Sequence, residues 1–131
     1  MKIKRNPTTV HTPFSAYSHQ IELIKESRLL AMSGQIGVDA NGVLAEGVAE
    51  QTRRAWQNVE LNLLAASMTL GDVVKVTIYL VHECIDTGER RRLFEDVFGA
   101  YLPCMSVVYV PALGDQAMKV ELDVWASSTE D

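Results

Sequence analysis

Residues 101–127, YLPCMSVVYVPALGDQAMKVELDVWAS, hold two runs rich in β-branched and aromatic residues around a polar turn, a pattern that predicts two strands. Pro103 cannot continue a helix, so it marks the corner at which the chain leaves a helical segment and enters the first strand. Beyond the turn, Val120, Leu122 and Val124 alternate with Glu121, Asp123 and Trp125. One face of that strand is therefore apolar and the other is not. Met105 follows Pro103 and Cys104 at the strand entrance, a corner position that often lines a pocket.

Upstream of the corner, Leu93, Phe94, Val97, Phe98 and Tyr101 form the apolar stripe of a helix. The helix begins near Asp86, whose carboxylate can cap it, with Glu89 three residues on to complete a capping box. Before it, DVVKVTIYLVH sets Val74, Val76, Ile78 and Leu80 against Lys75, Thr77 and Tyr79, which predicts a central strand covered on one side. From Val48 to Met68 the apolar residues recur at three- and four-residue steps with no proline inside, so this segment is a first helix. AYSHQIELI and SRLLAMSGQIG flank the polar KES as a hairpin would, and Asn41-Gly42 marks a turn in the loop that follows. Residues 1–16, with Pro7 and Pro13, read as an irregular arm lying on the rest.

The element order is an α+β layer in which two helices cover one face of a sheet. The other face is expected to carry Thr77, Tyr79, Met105, Val107, Tyr109 and Trp125, too apolar for water, so a second subunit should bury it. At 131 residues, 47% of them hydrophobic, the chain has the size of one domain, taken as residues 1–131. With 12 Lys and Arg against 17 Asp and Glu, the net charge is −5 and no basic field draws a nucleic acid. No apolar run reaches the roughly 18 residues of a membrane span, and two well-separated cysteines fit reduced thiols, so a cytoplasmic location is expected.

Three segments together resemble the Rid family of reactive intermediate deaminases, also called YjgF: FSAYSHQIEL, MSGQIGVDANG, and PCMSVVYVPAL followed by VELDV. The resemblance covers nearly the whole chain. It implies a chorismate mutase-like sheet with the helices outside, a homotrimer with a central β-barrel, and small-molecule clefts between neighbouring subunits. Family enzymes hydrolyse enamines and imines such as 2-aminoacrylate to the keto acid and ammonia, and neither cofactor nor metal is implied. Carried over residue by residue, Glu121 matches the carboxylate that orients or activates water, Tyr17 the tyrosine at the cleft mouth, and Ser33 with Gly34 the segment lining the floor.

At the proline corner the chain departs from the family, which reads Pro, small residue, Arg, Ser and grips the substrate carboxylate with that arginine. Here Met105 stands in the arginine's place and Val107 where a thiol or hydroxyl is usual. Without the resemblance, Met105 and Val107 are packing residues, Tyr17 is a packing tyrosine and Glu121 belongs to a solvated acidic strand. His11, His19 and His82 read as surface residues. Arg90, Arg91 and Arg92 read as a solvated helix face, and whether one of them replaces the missing anchor is left open. Two functions are carried forward: an imine or enamine deaminase with a non-standard substrate, and a non-catalytic metabolite-binding protein of the same fold. A ribonuclease, the third function attached to the family, is opposed by the acidic balance.

Overall fold

The computed structural model describes residues 1–82 and 84–129. The alternating runs become β5 (Val73–Val81), β6 (Cys104–Val110) and β7 (Val120–Ser128), with β3 (Arg28–Ala31) and β4 (Gln35–Ile36) beyond β7. The sheet runs in the order β3-β7-β5-β6, with β4 also on β7. The two strands of residues 101–127 are thus not a hairpin, because β5 is inserted between them. β5 pairs with β6 in parallel and with β7 antiparallel. A parallel neighbour needs a crossover, and the helix α2 (Thr87–Phe98) supplies it.

Val76, Ile78 and Leu80 of β5 and Val120, Leu122 and Val124 of β7 are fully buried beneath α2 and α1 (Gly47–Ala65). From the helices, Ala55, Trp56, Val59, Leu63, Leu93, Phe94 and Phe98 join the same core. Trp56 meets the Phe98 ring edge-on at 4.8 Å. The Asp86 carboxylate accepts the Glu89 N–H at 2.9 Å and caps α2 as its sequence predicts. That bond holds the Asp86 carboxyl below its usual range, while a hydrogen bond to Asp86 raises that of Glu89. Gln51 of α1 ties down the segment before β7, its Nε2 donating to the Ala117 carbonyl at 3.0 Å and its Oε1 accepting the Lys119 N–H at 2.8 Å.

Several expectations are corrected. The segments around KES do not form a hairpin: β2 (Gln20–Leu23) pairs with β1 (Lys2–Arg5), and β3 pairs with β7. The head of the arm is therefore a strand. Local alternation announces strands but says nothing about partners far along the chain. On β5 a register shift between Val73 and Lys75 buries Val73 in the core in place of Val74, as a bulge does.

The expected bare face is also redrawn. In register, Met105, Val107 and Tyr109 pair with Val76, Ile78 and Leu80, so they share the helix-covered face. The uncovered face instead carries Lys75, Thr77 and Tyr79 with Ser106 and Val108, and Glu121, Asp123 and Trp125. The run CMSVVYV is apolar on both faces, so its own alternation could not decide which face turned inward.

Candidate functional site

β6 is an edge strand, and its helix-side face is only partly covered by α2. The uncovered part is one wall of a groove of about 130 Å³, formed by Met105 and Val107. Arg90, Arg91 and Phe94 of α2 make the second wall, and Phe14, Ser15 and Tyr17 of the arm close the third.

The arm holds this position because alternate residues anchor it. Ala16 and Ser18 are buried, Ser18 Oγ donates to the Leu102 carbonyl at 2.6 Å, and its N–H donates to the Pro103 carbonyl at 3.2 Å. Tyr17, between them, is turned into the groove. Its hydroxyl accepts the Phe14 N–H at 3.1 Å. His11 stacks on Phe14 at 4.3 Å, and the His19 ring meets those of His11 and Tyr17 edge-on. His11 is exposed, as expected of a surface residue, and His19 is half-buried; both rings pack against their neighbours within the arm.

Arg90 is half-buried on the α2 wall. Its Nη1 donates to Tyr109 Oη at 2.7 Å, and its guanidinium carbon lies 5.8 Å from the Tyr109 ring centre. Of the three arginines left open by the sequence, Arg90 and Arg91 line the groove and Arg92 does not. The four-residue step from Arg90 to Phe94 is the signal that places Arg90 on the inward side of the helix. Phe14 and Ser15 had no such signal, because an irregular arm has no period.

Glu121 lies on the opposite face of the sheet, paired with Tyr79 and with Ile36. Its carboxylate rests over Gly34, where a Cβ would stand 2.3 Å from Oε2, so a larger residue there would displace the carboxylate from this position. Ser33 is exposed beside it, with its carbonyl accepting Gln35 Nε2 at 2.9 Å. The expected site residues thus form two groups: Tyr17, Met105 and Val107 at the β6 edge, and Ser33, Gly34 and Glu121 at the β4–β7 edge. Cys84 and Cys104 are free and half-buried, and burial pushes both thiols up. Among the described residues no helix is long and apolar enough to cross a membrane.

The family profile described as Endoribonuclease L-PSP matches residues 8–128. A RutC family protein of Pyrococcus horikoshii is 33% identical over 103 residues, covering 77% of this chain and 79% of the relative. The 2-iminobutanoate/2-iminopropanoate deaminase of Salmonella typhimurium is 33% identical over 102 residues, covering 75% and 78%. The crystal structure of YyfB, a protein of the conserved Rid family from Yersinia pestis, superposes with a TM-score of 0.86 at 27% identity over 96% of this chain and 98% of that one. An α+β sheet with two helices on one face, the motifs that build its two edges, and these relatives agree: the chain belongs to the YjgF/Rid family.

Proposed function

We propose that the protein is a homotrimer that hydrolyses small imines or enamines in clefts between its subunits. The observation that carries this is the separation of the two residue groups onto opposite edges and faces of one sheet. A single chain cannot bring the Met105 groove to Glu121. Three sheets closed side by side into a barrel would set the β6 edge of each chain against the β4–β7 edge of the next, so that the groove and a neighbour's Glu121 stand at the same seam, and the cleft would have to pass between the two edges. Closure also removes both exposed edges and buries the inner face, where Trp125 and Val108 are 42% and 39% exposed in the single chain.

In such a cleft the Glu121 carboxylate accepts a proton from water as the oxygen adds to the imine carbon. The nitrogen takes up a proton, the C–N bond breaks, and the products are a keto compound and ammonia. The deaminase name of the Salmonella relative supports this chemistry. Met105 and Val107 favour a second reading, a trimer that binds an apolar metabolite without turnover, since neither side chain offers a hydrogen-bond donor to a reacting group.

Light scattering at micromolar concentration is expected to return the mass of three chains; a monomer would overturn the composite cleft. Ammonia release from 2-aminoacrylate generated in the assay is expected to be slow. Losing a bidentate, charge-assisted contact on the strand costs about 2 to 4 kcal/mol, or roughly 30- to 1,000-fold in binding. Turnover equal to that of an arginine-bearing relative would show that the strand position does not set the rate, and complete absence of turnover on any imine would leave the binding reading.

A further inference from the structure

We propose that the cleft grips its ligand's carboxylate from α2 instead of from β6, through Arg90 and Arg91. This deepens the proposed function and rests on the groove being the ligand site.

The strand wall, Met105 and Val107, has no donor to offer an anion. The facing wall has two guanidinium groups on the same groove. Arg90 is held before any ligand arrives: its bond to Tyr109 uses one of five N–H donors and restrains a side chain that would otherwise have to be ordered on binding. Among the described residues no carboxylate lies within ion-pair distance of Arg90 or Arg91, whereas Arg5 and Arg53 are both paired. Positive charge that no described carboxylate pairs thus stands in a groove whose other sides, Phe14, Tyr17, Phe94, Met105 and Val107, are largely apolar. A carboxylate satisfies the planar guanidinium fork, and a small apolar body satisfies the remaining walls. The same groove opposes a polyanion, which would leave the apolar walls unused.

The test is isothermal titration of the full chain with 2-oxobutanoate, and with its neutral amide as control. The parent is expected to bind the carboxylate and to prefer it to the amide. Arg90→Gln combined with Arg91→Gln should weaken carboxylate binding about 10- to 100-fold and leave the amide unchanged. Arg92→Gln removes the same charge from the same helix outside the groove and should change binding by less than about twofold, given the modest reach of a screened surface charge. Arg90→Lys, which keeps the charge and loses the fork, should fall between. Equal carboxylate binding by the parent and the double variant would overturn the inference.

Met105→Arg separates failure of the inference from failure of the cleft. If the parent binds no carboxylate but Met105→Arg does, the groove is the site and the α2 arginines are not its anchor. If Met105→Arg also binds none while remaining folded, the groove is not the site, and the inference falls together with the proposed cleft.

Discussion

Glu121→Gln is expected to abolish measurable deamination while the protein melts at the parent's temperature. Glutamine keeps the size of the side chain and its place over Gly34, but it cannot take a proton from water. Loss of a positioned general base lowers the rate by about 10²- to 10⁴-fold. Because the parent itself is expected to be slow, this brings ammonia release to the uncatalysed background. Glu121 is half-buried on the uncovered face and is not part of the apolar core, so the fold has little reason to respond. Ammonia release and melting temperature, measured on the same preparation, check both halves. Full activity in Glu121→Gln would remove the carboxylate from the mechanism and leave the groove as a binding site. Gly34→Ala reports on the same geometry, since its Cβ would meet Glu121 Oε2 at 2.3 Å and drive the carboxylate from its position.

Phe98→Ala should cost about 3 to 5 kcal/mol of stability, the range for removing a large aromatic side chain from a packed core. Phe98 is fully buried at the end of α2, with the Trp56 ring at 4.8 Å and the Phe94 ring at 5.6 Å. Edge-on aromatic pairs of this kind contribute about 0.5 to 1.5 kcal/mol beyond the area they bury. The void would lie between α1, α2 and the sheet. Against a domain stability of about 5 to 15 kcal/mol, the loss is a large fraction. A fall in melting temperature on the order of 10 to 20 °C is expected, measured at fixed protomer concentration because the proposed assembly would also stabilise. A loss below about 1 kcal/mol in urea denaturation would mean that the α2 packing described above is wrong.

The sequence by itself determined the helices, the α2 cap and the apolar faces of β5 and β7, because each is written in a local period: 3.6 for α1 and α2, 2 for Val76–Leu80 and Val120–Val124. It also carried the family motifs, and with them Glu121, Gly34, Tyr17 and the substitution at Met105. Strand partners were a different matter. The insertion of β5 between β6 and β7, and the pairing of β2 with β1, depend on contacts between distant segments, and nothing in the local alternation encodes them. The side of β6 that faces the helices followed from its parallel register with β5, since CMSVVYV is apolar on both faces. Only the tertiary structure set Met105 and Glu121 on opposite faces of the sheet, and only it brought Arg90 and Arg91 to the groove that the strand leaves without a donor. The physical reason is the same throughout: periodicity tells a side chain which face of its own element it occupies, while the long-range packing of elements decides what that face meets.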